Sequence, residues 1–518
     1  MPNDLTNLGA LSSPWANSDR IAYIDLTGPI ADGGLPAAVE VTFAEFDDRV
    51  RRVAAGLAAR GLAPQARVGI VADNSVDYGA CYLGIARAGM VTVPMNTRQP
   101  AANLAWVAGD ADLALVFHDA ANAHLVPDGV PAVAFGSDAW QDLLAGDTPA
   151  AQPPVAPDAV AIQMYTSGST GRPKGVLLTH GGQLFSIDQY ITGVFPMEPD
   201  DKLVVSAPMY HKNAGMQLKL TLALGGTVIL LRRFDAEVYL RAVATHRATT
   251  VGGVPTMFAL MANRPELVAS LDLTCVKRAS IGSAPMTQAL HDQAASLFPE
   301  ASITNGYGTT EAVAIFAGHP DGLPRPALAV GHPLATIETR LVDPATGRDA
   351  EPDPDSGRRQ GELWVRSPGL MKGYHNLPDV TAQRVTEGWY HTGDVMEADI
   401  DGWHYFVGRV DDMFVCGGEN VYPGDVEQML EACPLVHQSS VVPVPDQLKG
   451  ALPVAFVVAA VGTAADEDAV QAWALENGPA YQHPRAVWFL DELPLAGTAK
   501  IDRAALTAEA ERRWIPRS

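Results

Sequence analysis

Tyr165-Thr166-Ser167-Gly168-Ser169-Thr170-Gly171-Arg172-Pro173-Lys174-Gly175 follows directly on an apolar run at residues 159–165. The run reads as a buried strand and the string after it as a loop at its end. Between Thr166 and Gly175 stand four hydroxyl side chains, three glycines and one lysine. Backbone N–H groups freed by glycine, hydroxyl donors and a cation are what a polyphosphate needs. An ordinary surface loop shares the Ser/Gly composition but not the Pro-Lys-Gly that closes this one. Lys174 sits between Pro173 and Gly175, so there is no Gly-Lys-Ser/Thr of a Walker loop, and no Gly-x-Gly-x-x-Gly is present either. A phosphate-transferring kinase of the Walker type is disfavoured.

Upstream, helix and strand signals alternate. Thr42-Phe43-Ala44-Glu45 reads as a capping box, and Phe46, Val50, Val53 and Leu57 then recur at helical spacing up to Gly61. Residues 67–72 read as a strand, 76–88 as a helix and 91–94 as the next strand. This is the rhythm of an α/β domain with a largely parallel sheet. Further apolar runs at 203–206, 227–231, 276–281 and 302–303 end in Gly, Ser or Pro loops. Ligands of such folds collect beyond the C-terminal ends of the strands. From about Gly408 the composition changes. Strands are expected at 439–444, 452–461 and 486–490 and a helix at 466–477, which makes a small α+β domain. The polar segment Gly408-Arg409-Val410-Asp411-Asp412 is the boundary.

Four more strings stand downstream in order. They are Asn305-Gly306-Tyr307-Gly308-Thr309-Thr310-Glu311, Gly388-Trp389-Tyr390-His391-Thr392-Gly393-Asp394, the boundary segment continued to Gly417-Gly418-Glu419-Asn420-Val421-Tyr422-Pro423, and 494–503 around Lys500. Together with the first, they resemble the adenylate-forming superfamily of acyl- and aryl-CoA ligases, peptide-synthetase adenylation domains and luciferases, most closely the acyl/aryl-CoA ligase branch. The resemblance implies an N-terminal domain over residues 1–408 with two α/β subdomains and a distorted β-barrel. It also implies a hinge at 409–412 around Asp411, and a small mobile α+β domain over 413–518 carrying Lys500.

It further implies roles. Thr166, Ser167, Gly168, Ser169, Thr170, Gly171 and Lys174 would hold the phosphates of ATP. Ser283, Ala284 and Pro285 would pass along adenine, Tyr307 would stack on it with Asn305 and Gly308 in the same nucleotide-binding string, and Thr310 would bond a phosphate. Glu311 is a hard oxygen ligand suited to Mg²⁺. Asp394 can accept from both ribose hydroxyls, with Arg409 a fixed fork of donors beside it. Lys500 would contact the α-phosphate and the acyl carboxylate. A carboxylate attacking a phosphate brings two anions together, so positioning and charge neutralisation dominate the catalysis. His211 resembles the histidine bordering the acyl site. Lys212, Asn213, Gly252, Gly253, Ala284, Gly308, Val313 and Ala314 are expected to wall the acyl pocket. Lys212 faces either the pocket, where it could hold a second polar group of the acid, or solvent; the sequence favours solvent.

The composition agrees with an enzyme of small molecules. Acidic residues number 59 against 36 basic, a net charge of −23, so neither nucleic acid nor an anionic membrane surface is an expected partner. The longest apolar run, 450–465, is shorter than a membrane span and contains a proline. Met1-Pro2-Asn3-Asp4 opens no secretion signal, and Cys81, Cys275, Cys416 and Cys433 are scattered, so reduced thiols in the cytoplasm are expected. No Phe-Asp pair stands where amino-acid-activating relatives carry one, and no carrier domain follows Arg503. The expected activity is an ATP- and Mg²⁺-dependent ligation of a carboxylic acid to coenzyme A through an acyl-adenylate. Transfer to an amine or carrier-protein thiol, and a non-catalytic nucleotide-binding scaffold, are the alternatives.

Overall fold

Thr42 caps the helix Phe43–Ala59 as its sequence predicts: Glu45 N–H donates to the Thr42 hydroxyl (3.2 Å), and Thr42 N–H donates back to the Glu45 carboxylate (2.8 Å). Phe43, Phe46, Val50, Val53 and Leu57 form its inner face and are fully buried, a stabilisation of roughly 2 kcal/mol for each side chain. That face packs on the helix Val76–Arg87, which is buried along nearly its whole length. The computed structural model describes residues 5–31, 33–146, 154–166, 172–194, 197–284, 286–313, 315–318, 322–460, 462–464, 466–495 and 501–514. Of the residues singled out above, Ser167, Gly168, Ser169, Thr170, Gly171, Pro285, Ala314 and Lys500 lie outside the described ones.

Among the described residues, two seven-stranded sheets form the large body. In the first, Val160–Thr166, Val91–Pro94, Arg67–Val71, Leu113–His118 and Ala132–Ala134 lie parallel in that order. Lys174–Thr179 then pairs antiparallel with Val160–Thr166, and the short strand Gly373–Tyr374 closes the edge. The Ser/Gly string therefore joins two antiparallel neighbours. In the second sheet, Ser302–Gly306, Arg278–Gly282, Thr250–Gly253, Lys202–Val205, Thr227–Leu231 and Ile21–Leu26 run parallel, with Val39–Thr42 antiparallel at the edge.

A third, wholly antiparallel sheet carries Glu338–Val342, Arg359–Arg366, Trp389–Ala398, Val385–Thr386 and His404–Arg409. It curls as a half-barrel beside the two α/β sheets. Arg409 ends its last strand. After the turn at 410–412 the chain enters a separate sheet of Phe414–Cys416, Glu419–Val421, Val436–Asp446, Gly450–Ala459 and Val487–Phe489. Helices Pro423–Glu431, Glu467–Asn477 and Arg503–Arg513 accompany it. This part has its own buried cluster, including Val426, Val441, Val454, Phe456 and Leu506. No helix among the described residues is long and apolar enough to cross a membrane.

Candidate active site

Three parallel strands of the second sheet, Thr250–Gly253, Arg278–Gly282 and Ser302–Gly306, end side by side. Gly252, Gly282 and Gly306 at those ends line one wall of a cavity of about 860 Å³, counted with its open mouth. The facing wall is the helix Lys212–Leu224, whose Lys212, Asn213, Met216, Gln217 and Leu220 line the same space. These residues recur at helical spacing because one face of the helix turns inward. Two glycines let the walls approach. A Cβ on Gly252 would stand 2.3 Å from the Gln217 amide nitrogen, and one on Gly308 would stand 2.1 Å from the Val313 carbonyl oxygen.

Ser283, Asn305, Tyr307 and Gly308 continue the lining toward the half-barrel sheet. There, register sets Asp394 opposite Arg409 on paired strands. Arg409 donates to Asp394 Oδ1 (2.6 Å) and the Tyr307 hydroxyl donates to Oδ2 (2.5 Å). Asp394 is 5% exposed. Burial, and then the Asp394 charge, push the Tyr307 phenol well above its usual pKa, so it remains a donor.

A second cluster lies at the first sheet. Val313 N–H donates to Thr309 O (3.0 Å) and Val313 has φ +58°, which curls the segment between them tightly around Thr310 and Glu311. Tyr374 donates its hydroxyl to Glu311 Oε1 (2.9 Å), and Lys174 Nζ lies 5.8 Å from the Tyr374 ring centre. Burial, followed by the Glu311 charge, raises the Tyr374 pKa and keeps the phenol protonated. Tyr374 thus ties Glu311 to the strand that Lys174 begins. Among the described residues no group of three His, Cys, Asp or Glu side chains converges as a metal cage. Glu311 alone fits Mg²⁺, which keeps waters and takes substrate phosphates as ligands.

The structure corrects the orientation of Lys212. Its Nζ donates to Val313 O (3.1 Å) and lines the cavity. Burial lowers its pKa to about 8, partly offset by the Glu311 charge. The cause is position: Lys212 is the first residue of its helix, and the missing side chain at Gly308 leaves room for the ammonium. His211 precedes that helix and packs edge-on against Tyr210 (4.6 Å between ring centres). His211, Gly253, Ala284 and Val313 do not line the cavity. Gly253 faces Met257 and Phe258, and Val313 is buried in the core.

Met216, Gln217, Leu220, Ser280, Phe316 and Arg325 line the cavity without having been singled out. Steps of four and eight from Lys212 would have reached Met216 and Leu220. For Tyr374 no local signal exists, because its place depends on pairing with a strand two hundred residues earlier.

Two α/β sheets, the second with a cavity at its strand ends, a half-barrel beside them and a small C-terminal domain beyond define the adenylate-forming class of enzymes. The chain belongs to the AMP-binding enzyme family: that family's model matches residues 15–375, and the model of the AMP-binding enzyme C-terminal domain matches 425–500. A feruloyl-CoA synthase of Amycolatopsis sp. is 35% identical over 481 residues, 92% of this chain and 94% of the relative. ATP-bound MatB from Rhodopseudomonas palustris superposes with a TM-score of 0.85 at 28% identity, over 98% of this chain and 99% of the other. The amide bond synthetase McbA from Marinactinospora thermotolerans gives the same TM-score and identity, over 97% and 99%.

Proposed function

We propose that the chain joins an aromatic carboxylic acid to coenzyme A at the expense of ATP. A carboxylate oxygen attacks the α-phosphorus and the bond to pyrophosphate breaks. The thiol sulfur of coenzyme A then attacks the acyl carbonyl, its proton is lost, and AMP leaves. The observation carrying this reading is that Tyr307 and Gly308, of the nucleotide segment, share a cavity with Lys212, Met216 and Leu220 of the opposite helix. A nucleotide held by Asp394 and Tyr307 and an acid held by that helix would meet at the loop bearing Thr310 and Glu311.

The chain's own groups supply the positioning. Asp394 and Arg409 fix the ribose end. Lys174 and the hydroxyls of 166–170 take the phosphates, and Lys500 neutralises charge growing between carboxylate and α-phosphate. Bound at Glu311, Mg²⁺ would draw negative charge from the phosphates. Leu220, Met216, Met197, Tyr190 and Phe316 give the cavity an apolar body suited to a ring. The kinship to a feruloyl-CoA synthase supports an aromatic acid and coenzyme A as the acceptor. ATP and coenzyme A as substrates, with Cys81, Cys275, Cys416 and Cys433 all free thiols, favour a cytoplasmic location.

The test is pyrophosphate release from ATP across benzoic, cinnamic and medium-chain acids, followed by AMP release with coenzyme A, an amine or a carrier-protein thiol. Acid-dependent pyrophosphate release, with AMP release fastest on coenzyme A, is expected. AMP release faster with an amine transfers the assignment to amide synthesis, and silence with every acid leaves a nucleotide-binding scaffold.

A further inference from the structure

Lys212 brings a cation to a cavity whose described lining holds no carboxylate. The other cation there, Arg325, spends one nitrogen on the carbonyls of Asn305 and Val330 (3.2 Å each). Lys212 Nζ has three donors, and Val313 O is its one hydrogen-bond partner among the described residues. Its other two donors have no hydrogen-bond partner among the described residues. Leaving a desolvated ammonium so poorly paired is costly, and a leucine would fill the same wall without that cost. The site is nonetheless built around the nitrogen: a Cβ at Gly308 would lie 2.8 Å from it. Although burial lowers its pKa to about 8, the group is mostly charged at neutral pH.

Its height in the cavity says what it reads. Lys212 opens its helix beside the loop that carries Glu311. Leu220, eight residues on, lies about 12 Å further along the axis. The reacting carboxyl belongs at the Glu311 end and the body of the acid beside Met216 and Leu220. Resting on the ligase reading above, we propose that Lys212 binds a second oxygen acceptor close to the reacting carboxyl. The favoured acids then carry an oxygen on the α or β carbon, or at the ortho position of an aromatic ring. A site built to hydrogen-bond a substrate oxygen discriminates strongly against analogues lacking it, since its own polar group is otherwise stranded.

The experiment measures kcat/KM for pyrophosphate release with 2-hydroxybenzoate and 2-hydroxycinnamate, their 4-hydroxy isomers and the unsubstituted acids. The parental enzyme is expected to prefer each ortho acid by at least tenfold. Lys212→Met should erase that preference by lowering kcat/KM on the ortho acids at least tenfold more than on the unsubstituted acids, while Lys212→Arg should keep the ranking. Lys212→Gln is read the same way as Lys212→Met should the latter not fold. A parental preference for the 4-hydroxy isomers overturns the proposal, as does an equal loss on all acids in the neutral variants. No pyrophosphate from any acid overturns the ligase reading, and this one with it.

Discussion

Tyr374 bridges two parts of the site that the chain keeps far apart. Its hydroxyl holds one oxygen of Glu311, and its ring faces Lys174. Tyr374→Phe keeps the ring and removes the donor, so Glu311 loses an orienting bond while the core stays filled. A hydrogen bond to a charged group contributes about 1.5–3 kcal/mol, so kcat/KM for adenylation is expected to fall roughly ten- to a hundredfold. Titrating Mg²⁺ against ATP checks it: the fall should include weaker apparent Mg²⁺ affinity, and an unchanged magnesium dependence contradicts the role. For Lys500, which rests on its motif, the expectation is a split between half-reactions. Lys500→Ala should lower acyl-adenylate formation by roughly 10² or more, since a charge contact at the transition state is lost, yet spare thioester formation from supplied acyl-adenylate. Equal loss in both removes the assignment.

At the scale of elements, we expect a rotation between half-reactions to be absorbed at the turn 410–412. Asp412 N–H donates to Arg409 O (3.2 Å), closing the turn, and Asp411 pairs with Arg384 (3.5 Å). Strands on either side are packed into different cores, His404–Arg409 into the half-barrel and Phe414–Cys416 into the small domain. Proline at 411 fixes φ near −65° and restricts Val410 before it. In single-turnover measurements Asp411→Pro is expected to leave adenylation near the parental rate and slow thioester formation by orders of magnitude. Parental rates in both steps would place the pivot elsewhere.

Across the whole molecule, the half-barrel and the small domain meet over a polar cleft lined by Asp343, Gln360, Glu419, Asp425 and Tyr481. Asp425 stands in the first turn of the helix Pro423–Glu431, where a negative charge is ordinarily favoured. Burial and then the charge of Glu397 override that and raise its pKa to about 7. The folded state therefore holds this proton more tightly than the unfolded one. The group's ionised form opposes folding, so its contribution to stability falls as pH rises from about 4 and levels off above 7. The shift corresponds to a few kcal/mol. Asp425→Asn should match the parent near pH 4 and gain stability over it up to pH 7, read as urea midpoints at each pH. A gain independent of pH would contradict the assignment.

Local residues alone determined much of this protein. The capping box at Thr42, the helical stripe to Leu57, the buried strands at Val91–Pro94 and Thr227–Leu231 and the break after Arg409 are short-range patterns, in which a residue's neighbours set its backbone and its buried face. The strings expected to meet the nucleotide, Asn305 to Glu311 and Gly388 to Asp394, were legible for the same reason, each being contiguous in the sequence. Tertiary structure decided what no neighbour encodes. It turned Lys212 into the cavity, because Gly308 and Val313, a hundred residues later, make room and supply a carbonyl. It brought Tyr374 to Glu311 through a strand pairing with Lys174–Thr179. It left His211 out of the cavity lining and put Gln217 and Arg325 into it. An acyl pocket is assembled from side chains on separate elements, and its shape is the difference between their packed surfaces, which exists only once those surfaces meet.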